Sequence, residues 1–184
     1  AVLKLFQDAK LAIGPAIDDG FYYDFQVDRP FQPEDLERIE EWMHKIADED
    51  HPFVRAEMKR EDALRQYRAK NEGFKVELLE GIPDERVSTY THSFFTDLCR
   101  GPHVPRTRVL RSFKLLSVAG AYWRGASNRR MLQRIYGTAF PSRNLLKSYL
   151  HRLEEAKKRD HRKLGHDLDL YSVHEEAGGG LIFW

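Results

Sequence analysis

One cysteine, Cys99, stands in 184 residues. A lone thiol closes no internal disulfide, which fits a reducing compartment such as the cytoplasm. No apolar run approaches the roughly 18 residues of a membrane span, and no basic-then-apolar leader opens the chain. Repeats and low-complexity tracts are missing too. Gly178-Gly179-Gly180 has neither a strand before it nor a helix after it, so it does not read as a dinucleotide phosphate loop. An initial Met is also lacking. The chain starts at Ala1 in what reads as the tail of a helix and stops after Leu181-Ile182-Phe183, which reads as an unfinished strand. The expectation is a piece of a longer protein.

A large net charge is absent as well: 30 Lys+Arg face 29 Asp+Glu. The distribution is uneven. Residues 1–99 carry 13 basic and 22 acidic side chains, residues 100–163 carry 17 and 3, and residues 164–184 carry none and 4. Such asymmetry points to a polyanionic partner for the middle segment. At 41% hydrophobic and 12% aromatic, the chain can bury a core, which excludes wholesale disorder.

The aromatic, β-branched run 21–27 between Gly20 and Pro30 predicts a strand. Pro33 followed by Glu34 and Asp35 suits a helix start, and Leu36, Ile39, Met43 and Ile46 recur at helical spacing, so 33–49 predicts an amphipathic helix. A strand is expected at 53–58 and a short helix at 61–70. The run 74–79 alternates poorly and stays open between strand and helix. Strands are expected at 87–90, 94–98, 113–121 and 131–136. Pro141-Ser142 opens a helix expected to run to about Leu164. Leu145, Tyr149 and Leu153 share one face of it, Glu154–Lys158 and Glu155–Arg159 are spaced for ion pairs, and Gly165 would be its left-handed stop. Mixed strands and helices without a βαβ repeat predict an α+β fold, mainly antiparallel sheet with packed helices, followed by a linker helix.

Chemistry concentrates in Thr96-Asp97-Leu98-Cys99-Arg100-Gly101-Pro102-His103. A turn at Gly101-Pro102 would bring the Cys99 thiol and the His103 imidazole toward one point. Three chemistries compete: half of a zinc site completed by distant residues such as His92 or from outside this chain, a nucleophile and base pair, or a water-activating His103 with Asp97 while Cys99 lines the site. A fourth reading makes Cys99 a small buried hydrophobe. Lys75, in an apolar run, is either a partly buried amine or a lysine that snorkels to water. Downstream, Tyr122-Trp123-Arg124 and Arg129-Arg130 interleave rings and guanidinium groups, a mixture suited to the phosphates and unstacked bases of a nucleic-acid end. The competing reading puts Tyr122 and Trp123 in a core strand and the arginines in solvent.

Several long runs carry a resemblance: Ile13-Gly14-Pro15, Asp19-Gly20-Phe21-Tyr22-Tyr23-Asp24, 97–105, 119–125, 131–140 and 152–163. Over essentially the whole chain they resemble bacterial threonyl-tRNA synthetase. The resemblance implies the fold of the threonyl/alanyl-tRNA synthetase second additional domain. It divides the chain into an aminoacyl-tRNA editing domain at 1–140 (β-rich core about 87–140), a linker helix at 141–165 and the beginning of a class II catalytic domain at 166–184. It further implies hydrolysis of mischarged seryl-tRNA(Thr), with Cys99, His103, Asp97 and Lys75 as site residues; the basic and aromatic pattern itself puts Arg100, Tyr122, Arg124, Arg129 and Arg130 forward as tRNA contacts. A His-x3-His pair that completes the site in the family would precede Ala1. No cofactor is implied for editing; ATP, Mg2+ and Zn2+ are expected in the catalytic domain of a full-length enzyme. Implied partners are the tRNA(Thr) acceptor end and its serine and threonine esters, in a cytoplasmic homodimer. Ala126 and Gly179 depart from the family's usual Asp and Pro.

Overall fold

The computed structural model describes residues 1–172, 174 and 182–183. The glycine triplet 178–180, residue 181 of the expected 181–183 strand and about half of 166–184 lie outside the described residues. Two compact units are formed, Ala1–Pro141 and Ser142–Trp184. No helix among the described residues is long and apolar enough to cross a membrane.

The first unit is α+β with two antiparallel sheets. In order it contains α1 (Val2–Leu5), β1 (Lys10–Leu11), β2 (Ala16–Ile17), β3 (Gly20–Gln26), α2 (Pro33–Asp48), β4 (Val54–Lys59), α3 (Arg60–Ala69), α4 (Gly73–Glu80), β5 (Arg86–His92), β6 (Phe95–Leu98), β7 (Phe113–Tyr122) and β8 (Met131–Ala139). The larger sheet has the order β1-β3-β8-β7, with β2 beside β3; the smaller has the order β4-β5-β6. The β-rich stretch 87–140 is thus not one continuous sheet. β5 and β6 complete a sheet begun by β4, whereas β7 and β8 close against β3, more than 100 residues upstream of β8.

α2 starts where Pro33 predicted. Gln32 caps the first turn, and the Asp35 carboxylate accepts the Gln32 N–H at 2.8 Å, satisfying an end that the helix cannot satisfy itself. Ile39 is buried on the larger sheet with Phe25, Leu115 and Ile135, while Leu36 and Met43 flank it. The run left open at 74–79 is helical. It lacks clean alternation because α4 is covered on more than one side: Leu79 enters a core with Ala63, Tyr67 and Val87, while Phe74 and Leu78 meet a second core around Trp123 and Leu132.

In the second unit the single helix expected over 141–165 is two: α5 (Arg143–Lys158) and α6 (His161–Asp167). Asp160 causes the break. Its side chain accepts the Arg162 N–H at 2.9 Å and caps a new helix instead of continuing the old one. Gly165 is not a left-handed stop. It lies buried inside α6, where an added Cβ would come within 2.0 Å of the Tyr171 ring. Lys158 pairs with Glu155 at 2.9 Å rather than with Glu154, and Arg159 pairs with Glu155 as expected.

Candidate functional site

The end of β6 builds the site. β6 pairs with β5, placing Asp97 opposite Tyr90. Asp97 and Cys99 are two residues apart on extended chain and so project to the same side. Cys99 is fixed by its neighbour Ser88: the Cys99 N–H donates to the Ser88 carbonyl (3.1 Å), and the Ser88 hydroxyl donates to the Cys99 carbonyl (2.6 Å). The chain then reverses at Gly101, whose φ of +73 and proximity to Tyr90 both demand glycine. A Cβ there would stand 2.2 Å from the Tyr90 hydroxyl. The reversal sets His103 Nε2 at 3.1 Å from Cys99 Sγ. Partial burial holds the His103 imidazole below its ordinary pKa, against the opposing pull of the Asp97 charge. A neutral ring at pH 7 is therefore favoured, one able to accept a proton.

Beside this pair lies a buried polar cluster. Lys75 is only 4% exposed, so the snorkelling alternative is replaced by a buried amine. Its Nζ reaches the Asp97 carboxylate at 2.7 and 2.8 Å and donates to the Tyr23 oxygen at 3.1 Å. Tyr23 in turn donates to Asp97 Oδ2 at 2.7 Å, and the Leu98 N–H to Oδ1 at 2.8 Å. Burial and the Asp97 charge push the Tyr23 phenol far up, so it stays a hydrogen-bond donor. Sequence reasoning missed Tyr23. It sits in an aromatic run, and nothing local shows which ring of that run meets a distant carboxylate.

The tRNA-contact candidates are placed differently. Trp123 is buried, and its Nε1 donates to Glu77 Oε2 at 2.8 Å, so it is a core residue. Arg129 pairs with Glu77, Arg124 lies 3.6 Å from the same carboxylate, and Arg130 donates to Gln26 at 2.6 Å. Glu77, another residue that sequence reasoning passed over, thus partly neutralises the basic segment. It follows Lys75 by two positions on α4, so its arginines lie on a different helix face from the Lys75–Asp97 cluster. Tyr122 and Arg100 are exposed.

Cys99 and His103 supply two ligands, zinc requires three or four, and no group of three or more metal-binding side chains occurs among the described residues. His92 packs on Phe53 and Phe95 instead of joining them. A cavity of about 410 Å³ is mainly apolar and is lined by residues such as Phe25, Ile39 and Trp42, with Tyr23, His92 and Phe95 at its wall.

Residues 87–136, spanning β5 through most of β8, match the family described as the threonyl and alanyl tRNA synthetase second additional domain. Over all 184 residues the chain is 58% identical to a threonine–tRNA ligase of Desulforamulus reducens and 55% identical to one of Citrifermentans bemidjiense. The chain is homologous to a stretch of the bacterial threonine–tRNA ligases. A relative from Nitrosococcus oceani, also a threonine–tRNA ligase, is 55% identical over 185 residues. The chain spans 29% of the length of each of these curated relatives. The match thus covers both sheets and the Cys99–His103 turn.

Proposed function

We propose that this chain is the editing portion of a threonine–tRNA ligase and contributes His103, Cys99 and the Lys75–Asp97 cluster to the site with which the full-length protein hydrolyses seryl-tRNA(Thr). The observation that carries the reading is the 3.1 Å approach of His103 to Cys99 beside the buried Lys75–Asp97–Tyr23 cluster. Threonine and serine differ by one methyl group, which a binding pocket separates by only about 1–3 kcal/mol. A second site that admits the smaller side chain and excludes the larger multiplies that selectivity.

In the reaction a water attacks the ester carbonyl carbon and passes a proton to the neutral His103 ring. The carbon–oxygen bond to the terminal ribose then breaks, and the ribose oxygen takes that proton back, so acid and base roles alternate on one imidazole. Lys75 would be the cation nearest the negative charge that develops on the carbonyl oxygen, and the Tyr23 hydroxyl, which accepts from Lys75 and donates to Asp97, orders it. Asp97 holds both in position. Arg100, Tyr122, Arg124, Arg129 and Arg130 would approach the tRNA acceptor end, and no cofactor takes part in these steps.

On this reading residues 1–140 form the editing domain, 141–165 the connection, and 166–184 the start of a catalytic domain. That domain would threonylate tRNA(Thr) with ATP, Mg2+ and Zn2+ in a cytoplasmic homodimer. Hydrolysis of purified seryl- and threonyl-tRNA(Thr) by the full-length protein that carries this chain tests it. The serine ester should be cleaved much faster, and His103→Ala should lower that rate by about 10²–10⁴-fold. Equal cleavage of both esters, or an unchanged rate in the variant, overturns the proposal.

A second reading, a tRNA-binding module without catalysis, draws on the 17 basic against 3 acidic side chains of 100–163. It requires steeply salt-dependent tRNA binding together with no ester cleavage.

A further inference from the structure

His103 is only partly buried, yet its ring is not left to rotate in water. The Phe53 phenyl lies almost parallel to it, at 15° and 5.1 Å between centroids, and the Tyr90 ring packs against it at 4.3 Å. Phe53 is itself backed by His92 at 4.9 Å, and His92 by Phe95 at 5.6 Å. The phenyl therefore cannot swing away without displacing side chains of the smaller sheet.

The backbone repeats the arrangement. The Phe53 N–H donates to the Pro105 carbonyl (2.9 Å) and the Thr107 N–H to the His51 carbonyl (2.8 Å), while the His51 N–H donates to Thr107 Oγ1 (2.9 Å). Arg106 reaches back to the Asp50 carboxylate at 2.9 Å. Residues 50–53 are thus stitched to 105–107, immediately after the catalytic candidate. This stitching fixes Phe53 and the His103 loop relative to each other.

We propose that Phe53 is a positioning residue for the hydrolytic site: its ring, stacked on His103, selects the imidazole orientation that aims Nε2 at Cys99. The proposal rests on the hydrolytic reading above and names a residue that touches neither thiol nor cluster. Stacking on a flat ring restricts the two torsions of an otherwise exposed side chain, so that the base is held before the ester arrives.

The test uses Phe53→Leu, which keeps apolar bulk but loses the flat face, and Phe53→Tyr, which restores it. In the protein carrying this chain at full length, Phe53→Leu should lower kcat for seryl-tRNA hydrolysis by about 3- to 10-fold, the loss expected when one ordered side chain is freed. KM should change by less than about twofold, since no ester contact is removed. NMR relaxation of a 13C-labelled His103 ring should show larger-amplitude motion in Phe53→Leu and parent-like motion in Phe53→Tyr. Thermal unfolding of all variants checks that the loop stitching survives, and Phe53→Met replaces Phe53→Leu if the latter unfolds. Unchanged His103 motion in the variant lacking the ring overturns the positioning role, whatever the kinetics. A kcat loss of equal size in Phe53→Tyr overturns it too. If the parent cleaves no seryl ester, the hydrolytic reading fails by itself, and the relaxation measurement still decides whether Phe53 orders the imidazole.

Discussion

Replacing Lys75 with Met tests the buried cluster most directly. The side chains of Lys75 and Asp97 are 5% and 16% exposed, so the substitution removes a cation and leaves a carboxylate largely out of water. Breaking one partner of a buried pair costs about 3–5 kcal/mol when the survivor is stranded. Asp97 is not wholly stranded: Tyr23 still donates to one oxygen and the Leu98 N–H to the other. The expected loss is therefore about 2–3 kcal/mol, corresponding to a midpoint lowered by about 4–12 °C for a chain of this size. Urea or thermal unfolding at pH 7, followed by the fluorescence of Trp42 and Trp123 in the first unit, measures it. Lys75→Met with Asp97→Asn removes the stranded charge. The double variant should be more stable than the sum of the single losses by about 1–2 kcal/mol. A Lys75→Met loss below about 0.5 kcal/mol, or strict additivity, refutes the reasoning that these two residues stabilise each other in a dry environment.

Asp35, held down to about 2 by the Arg29 hydrogen bond and the Gln32 N–H, should supply stability that is full above its ordinary 3.8 and is lost as pH falls through about 2. Urea unfolding at pH 7 and pH 2.5 should show that pH-dependent loss in the parent and a smaller one in Asp35→Asn. Gly101→Ala, at φ +73 and with its Cβ 2.2 Å from the Tyr90 hydroxyl, should destabilise the first unit by more than about 1 kcal/mol. It should also lower seryl ester cleavage, because the reversal that aims His103 is lost; parent-like kinetics would contradict the proposed geometry. Glu77→Ala removes the acceptor of the buried Trp123 indole and should cost about 1–2 kcal/mol by urea unfolding. The arginines it releases should steepen the salt dependence of tRNA binding.

Local order was legible where one residue type carries one physical consequence. Pro33 with an acidic first turn located α2, the aromatic run located β3, and Gly101-Pro102 located the reversal that joins Cys99 to His103. The run 74–79 resisted because periodicity reports a single buried face, and α4 has more than one. The expected long helix failed at Asp160 because capping competes with continuation over a single residue, which helical spacing of apolar residues does not register.

By itself the sequence determined the α+β class, most of the elements, the Cys99–His103 turn and the resemblance to a synthetase family. These depend on spacing along the chain, which needs no knowledge of distant partners. Only the tertiary structure decided which of the nearly balanced charges meet. It buries Lys75 against Asp97 and Tyr23, ties Arg124 and Arg129 to Glu77, and stacks Phe53 on His103. Each of these contacts joins residues more than 20 positions apart. What sets them is strand pairing and the cost of leaving a charge unpaired away from water, neither of which any local pattern encodes.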